Sequence, residues 1–282
     1  MRPSVIFSCD WESRGDYTPH HVTEGKDYFE KISEEIIDAS QYIVDGKMIW
    51  YCKIDFYADI TYYNDFAPLA GRILAGGGQL GVHIHHISKA KVQREKVFEW
   101  SFDRMKKLGF PVTTYSAGMG EVYDSDVNGL LEAGFRSQRG AFPFIKHEFC
   151  DWIGADLWPG YMDASDYKRV GVTGKLFTYA IGGDEKNGEG YSQLHINRYI
   201  PLDQLKALFT KNMDFLFRQG KFPCIGCYFH PYNLTKEGAV SVIDADVIRK
   251  WELFSLWLKD NGVVFLTDSE AERIYSETSG VK

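Results

Sequence analysis

Short apolar runs alternate with amphipathic stretches along nearly the whole chain, and this alternation is the strongest constraint on its fold. Ser4–Cys9 reads as a buried strand. Residues 27–45 read as a helix with Phe29, Ile32, Ile36, Ala39 and Ile43 on one stripe, stopped by Gly46. Strands follow at 48–54, 79–84, 112–115, 176–181, 222–229 and 263–266. Helices lie between them at 65–75, from Ser88 to Leu108, from Asp124 or Ser125 to Gly134, from Pro201 to about Gln219 and at 246–260. A short helix closes the chain. Seven or eight strands alternating with helices call for a parallel sheet, either a closed barrel or a doubly wound sheet. The least regular stretch, 140–175, reads as a loop-rich insertion over the site within a single domain spanning 1–282.

Composition narrows the function classes. With 44% apolar and 25% charged residues the chain has the make-up of a folded protein with a full core. Its net charge of −7 argues against a nucleic-acid partner, which requires a concentrated basic surface. No run approaches the length of a transmembrane span, and the first residues carry no secretory signal pattern, so the expectation is a cytoplasmic protein. The five cysteines form no disulfide framework. Cys224 and Cys227 form a C-x-x-C, but it lies in an apolar run and reads as buried strand. The triple glycine at 76–78 follows a helix and precedes a strand, the reverse of a phosphate-binding loop. Neither a G-x-S-x-G elbow nor a G-x-G-x-x-G after the first strand is present.

In α/β folds the ligand sits at the carboxyl ends of the strands. Those ends carry Asp10 and Glu12 after the first strand, His83, His85 and His86 after the third, Ser116 and Gly118 after the fourth, and His230 after a late one. Residues two apart in extended chain face the same side, so Asp10 pairs with Glu12 and His83 with His85. Two imidazoles with one or two carboxylates suit Zn²⁺ or a similar divalent ion. The second imidazole is His85, or His86 if the chain bends there. One carboxylate binds metal while the other takes a proton from water, and His230 protonates a leaving amine. His20 and His21 read as surface or lid residues, and His147 and His195 carry no assigned role.

Taken in order, these segments resemble the polysaccharide deacetylase family, also called the NodB-homology or carbohydrate esterase family 4 group. Phe7-Ser-Cys-Asp-Trp-Glu12 is similar to its acidic motif, Leu80-Gly-Val-His-Ile-His85 to its metal-histidine motif, Tyr115-Ser-Ala-Gly118 to its third motif and Phe229-His-Pro231 to its last. The likeness runs over residues 4–275. It implies a distorted (β/α) barrel of about seven strands with fewer than eight complete units. It also implies metal-dependent removal of an N-acetyl group from an amino sugar or glycan precursor in polysaccharide biosynthesis. Asp10 would be the base, His230 the acid, and Glu12, His83 and His85 the metal ligands, with Asp10 alternatively a ligand. Backbone N–H groups near Ser116–Gly118 would help hold the oxyanion, and Trp158, Tyr161 and Asp163 are candidate substrate contacts. Three departures stand out: the acidic pair is Asp-Trp-Glu rather than Asp-Asp, the histidines are two or three rather than four apart, and Ser116 stands where an arginine is usual. Arg136 or Arg139 would then supply that charge. Two other readings remain: a deformylase or amidase on another small amide, and a carbohydrate-binding protein of the same fold without catalysis.

Overall fold

The structure is a computed structural model, and it describes residues 1–12, 26–54, 61–85, 90–140, 142, 144–148, 150–172, 174–185 and 191–279. Its centre is a ten-stranded sheet. The strands are β1 (Ser4–Trp11), β2 (Met48–Lys53), β3 (Gln79–Ile84), β4 (Val112–Ala117), β5 (Ser137–Arg139), β6 (Gly160–Asp163), β7 (Asp166–Gly171), β8 (Phe177–Tyr179), β9 (Cys224–Phe229) and β10 (Val264–Phe265). The order is β9-β1-β2-β3-β4-β5-β8-β6-β7, with β10 beside the start of β1. Every pair from β9 to β8 is parallel. The turn at β8 is where the sheet exceeds the expected seven strands. The 160–171 hairpin, read from sequence as loop, adds β6 and β7 antiparallel to the sheet, and β10 adds a short strand at the other end. Its Gly, Asp and Lys content hid it, because an edge hairpin with one solvated face lacks a continuous apolar run.

The parallel run curls until its ends meet. Just past β8, Ile181 bridges Gly226 of β9, with Gly226 N–H donating to Ala180 O at 2.7 Å and Gly182 N–H to Gly226 O at 3.0 Å. His195 forms a second parallel bridge to Tyr228 of the same strand. Gly226 permits this seam, since a Cβ there would lie 2.6 Å from Ile181 Cδ1 and 2.9 Å from the Tyr179 ring.

Among the described residues seven α-helices accompany the strands: α1 (Lys26–Ile43), α2 (Thr61–Ala75), α3 (Lys91–Lys107), α4 (Asp124–Ala133), α5 (Leu202–Arg218), α6 (Ala245–Asp260) and α7 (Asp268–Ser279). The proposed Ser88 cap of α3 lies outside the described residues. Alternate residues of each strand face outward, where Phe7 packs edge-on to Phe254 and Phe265, Trp11 against Phe29 and Trp50, and Phe229 against Trp251. Cys224 and Cys227 are buried and free within β9, as the apolar run requires. A buried ion cluster ties the loop after β4 to α3. Arg94 donates to Asp126 at 2.8 and 2.6 Å, and to the Glu121 carboxylate and carbonyl at 3.1 Å each. No helix among the described residues is long and apolar enough to cross a membrane.

The seam yields the first prediction. Gly226→Val should lower the unfolding free energy by about 1–3 kcal/mol through overpacking of Ile181 and Tyr179, read as a shift of the urea midpoint. An unchanged midpoint would mean that the closure tolerates a side chain there.

Candidate metal and catalytic centre

The strand register assembles the centre. Lys53, His83, Ser116, Arg139 and Tyr179 are successive Cα partners across β2, β3, β4, β5 and β8. They therefore form one row around the barrel interior, facing the side on which Ser8 and Asp10 alternate along β1 and Glu12 follows just past its end. Below this row the Tyr51 hydroxyl meets Thr114 Oγ1 and the Tyr179 hydroxyl, each at 3.1 Å.

Glu12, His83 and His85 each offer one ligand atom, and these atoms lie within 4.8 Å of one another. His85 Nε2 is 2.8 Å from His83 Nε2 and 3.1 Å from Glu12 Oε2, and His83 Nε2 is 4.0 Å from the same oxygen. His83 Nδ1 stands 3.1 Å from the carbonyl oxygen of Ser116. A carbonyl only accepts, so Nδ1 carries the proton and the Nε2 lone pair is directed at the cluster, the orientation that metal-binding imidazoles take. Burial lowers the His83 pKa to about 4, which keeps that lone pair free at neutral pH. The ring of His85 is seated against Gly118, where a Cβ would come within 2.4 Å of it. Two nitrogens and one carboxylate oxygen, with the Ser116 carbonyl accepting from the far nitrogen of one histidine, are a donor set suited to Zn²⁺ with a position left open. His86 lies outside the described residues, as do His20 and His21.

Asp10 is not one of the convergent ligands. Arg139 Nη2 donates to its Oδ2 at 2.7 Å, while Nη1 lies 2.6 Å from Oδ1, off the line of a hydrogen bond. The same guanidinium donates to Ser116 Oγ at 2.7 Å and Ser8 Oγ at 3.2 Å, and is flanked by the rings of Tyr51 and Tyr228. Burial alone would raise the Asp10 pKa; Arg139, with His83 and His230, instead holds it well below the usual carboxylate range. Glu12 is likewise opposed by burial and brought down to about 2 by the hydrogen bond from His85 and the neighbouring histidines. Lys53 Nζ adds a cation 3.6 Å from Glu12 Oε2. His230 Nε2 stands 3.5 Å from both Asp10 Oδ2 and Glu12 Oε1, so this imidazole touches both carboxylates.

Other candidates fall differently. Ser116 serves the centre through its hydroxyl and carbonyl, which hold Arg139 and His83, and Gly118 through the room it leaves for His85. Tyr161 and Asp163 are not brought there. Tyr161 pairs with Phe177, the first residue of β8, its hydroxyl reaches Glu272 and Ser276 of α7, and both residues line a separate cavity with Arg136. Trp158 lines another cavity, of about 580 Å³, with Phe144 and Phe215, and Lys221 lies over its ring. These three sit on the insertion, whose fold no local pattern in the sequence specified. Sequence reasoning left Lys53, His195 and Asn233 without roles. Lys53 had a signal, since it lies two residues after the inward-facing Tyr51 on a strand end. His195 had none, because only the seam brings it to His230, whereas Asn233 is folded onto His230 by the turn that follows β9.

No protein-family model matches the sequence, and no curated protein is similar to it by sequence. Solved structures are similar in fold. A 4-alpha-glucanotransferase of Thermococcus litoralis is 14% identical over 96% of this chain, with a TM-score of 0.56; the chain spans 40% of that protein's length. An exo-type maltose-forming amylase of Pyrococcus sp. ST04 is 10% identical over 98% of this chain and 49% of its own, with a TM-score of 0.55. A peptidoglycan deacetylase of Bdellovibrio bacteriovorus is 13% identical over 95% of this chain and 53% of its own, but its TM-score of 0.39 is too low to carry weight. At these identities the likeness concerns the fold alone.

The Asp10–Arg139 pair is testable by itself. Arg139→Leu leaves a buried carboxylate without its counter-charge, and should cost about 3–5 kcal/mol at neutral pH. The pH dependence fixes the sign. With Arg139 present, the depressed Asp10 pKa contributes stability above the ordinary carboxylate range, which is lost on acidification. In the variant, burial raises the Asp10 pKa, so protonation relieves the penalty as pH falls. Urea unfolding should therefore show a difference between the two proteins that narrows towards acid pH; a constant difference would contradict this account of the pair.

Proposed function

We propose that this chain is a metal-dependent hydrolase that removes an N-acetyl group from an amino sugar or glycan precursor. The observation that carries the reading is the convergence of Glu12, His83 and His85 on one point, with the Asp10–Arg139 pair and His230 on the adjoining walls. Glu12, His83 and His85 would hold a divalent ion, which supplies positive charge to polarise an acyl carbonyl and lower the pKa of water.

The remaining chemistry belongs to the chain. Asp10 is held as a carboxylate by Arg139, and accepts a proton from the water that adds to the acyl carbon. Arg139 fixes the direction of that carboxylate through its shared contacts with Ser116 and Ser8. His230, as imidazolium, gives its Nε2 proton to the departing nitrogen as the carbon–nitrogen bond breaks. The products are a carboxylic acid and a free amine, and the two side chains end one proton apart from where they began, restored by exchange with solvent. Arg139 supplies the positive charge that Ser116 leaves missing from the third motif, and this favours a working site over a binding protein that has lost catalysis.

Two measurements test the reading. Elemental analysis should find near-stoichiometric metal in the wild type and little in a His83→Ala, His85→Ala double variant. On acylated amino sugars the wild type should release acetate, whereas Asp10→Asn and His230→Gln should each lose about 10²–10⁴-fold in kcat. Release of formate in place of acetate would move the assignment to a deformylase. Failure to take up zinc, cobalt or nickel would sink the hydrolase and leave a carbohydrate-binding protein.

A further inference from the structure

A single side-chain oxygen behind His230 decides which of its two ring nitrogens can meet the carboxylates. His230 follows β9 and opens a 3-10 turn over Pro231–Leu234, which folds Asn233 back onto it. Asn233 Oδ1 lies 2.8 Å from the His230 backbone nitrogen, 3.0 Å from His230 Nδ1 and 2.8 Å from His195 Nε2. A backbone N–H is only a donor, so the amide atom facing it is the oxygen and not the nitrogen. That oxygen can only accept, so both imidazoles must turn an N–H towards it. His230 is thereby the Nδ1–H tautomer whenever it is neutral, and its Nε2 is the atom left to face Asp10 and Glu12.

His195 braces this arrangement. It sits on the barrel seam, where its bridge to Tyr228 fixes its backbone, and its ring stacks on Tyr228 at 4.4 Å and 14°. The Tyr228 hydroxyl in turn donates to Gln193 Oε1 at 2.8 Å. Tyr232 covers a face of the His230 ring, stacked at 4.7 Å. The acceptor on Nδ1 is a neutral amide rather than a carboxylate. It orients the imidazole without adding a third negative charge beside Asp10 and Glu12.

We infer that Asn233, braced by His195, is the positioning residue that commits His230 to the Nδ1–H tautomer and so dedicates Nε2 to proton delivery. The inference rests on the proposed acid role of His230 for its purpose, but its test does not depend on turnover. Free imidazole side chains favour the Nε2–H tautomer, so the expected state here is the minority one.

The experiment is ¹⁵N-histidine NMR of the full chain, at a pH where His230 is neutral, with its signals identified by their loss in His230→Gln. In the wild type His230 Nδ1 should show the protonated, pyrrole-type shift and Nε2 the unprotonated, pyridine-type shift. Asn233→Ala should release the ring to the Nε2–H form and lower kcat by about 10²-fold or more, within what a general acid contributes, with KM little changed. Asn233→Asp keeps an acceptor and should keep the Nδ1–H tautomer. His195→Phe keeps the stack but removes one donor to Oδ1, and should lower kcat less than Asn233→Ala. An Nε2–H tautomer in the wild type overturns the inference with no variant needed, as does an unchanged Nδ1–H tautomer in Asn233→Ala. If the wild type shows the Nδ1–H tautomer and Asn233→Ala releases it, but no acylated sugar is turned over, the positioning stands and the proposed reaction fails.

Discussion

The centre depends on the placing of two carboxylates, Asp10 and Glu12, inside the mouth of a barrel where both are nearly inaccessible. Buried anions this close repel one another and lose hydration, so each must be compensated where it stands. The compensation is divided. Asp10 is matched within the protein by Arg139, whose remaining N–H groups are directed by Ser8 and Ser116. Glu12 is met by ring nitrogens and the end of Lys53 instead. One carboxylate thus has its charge committed to Arg139, and the other faces the His85 ring nitrogen that donates to it and the Lys53 ammonium. In the proposed reaction this division would make Asp10 the proton acceptor and Glu12 the ligand, a distinction that the acidic pair alone leaves open.

Much of this was legible in the sequence because strands have a period of two. Once β1 was read as a buried strand, Asp10 and Glu12 had to share a face, and the same rule paired His83 with His85. The parallel pairing of the strands followed from their alternation with helices, since parallel neighbours need a crossover between them; their order, which distinguishes a barrel from a doubly wound sheet, did not. What was not legible depends on register and closure. That Arg139 rather than Arg136 reaches Asp10 follows from the alignment of Ser116 with Arg139 across β4 and β5. No local pattern encodes that alignment. Arg136, which precedes β5, instead lines a cavity with Tyr161 and Asp163. The 160–171 hairpin was hidden for a related reason, as an edge hairpin with a solvated face gives a weak apolar signal.

The fold and the chemistry are coupled most closely at the seam. The bridges at Ile181–Gly226 and His195–Tyr228 join strands far apart in sequence, and the second places an imidazole behind His230. The residue that lets the strands meet is a glycine, and the residue that joins the two imidazoles is an asparagine of the turn that follows the strand. Neither type announces a catalytic role when read alone.

Their joint effect is logical rather than energetic in the first instance. The carbonyl of Ser116 and the amide oxygen of Asn233 can accept protons in hydrogen bonds but never donate them, so each dictates the tautomer of the histidine it touches. The two histidines so fixed, His83 and His230, both have Nδ1–H directed away from the centre and Nε2 directed into it. For His83 that yields a lone pair for a ligand, and for His230 a site that can carry or release a proton. A backbone acceptor suits the first, because the strand register holds it at a fixed place. A side-chain acceptor suits the second, because the turn after β9 must bring it around the ring. The same tautomer is imposed twice by different means, and the environment of each Nε2 then sets what the nitrogen does.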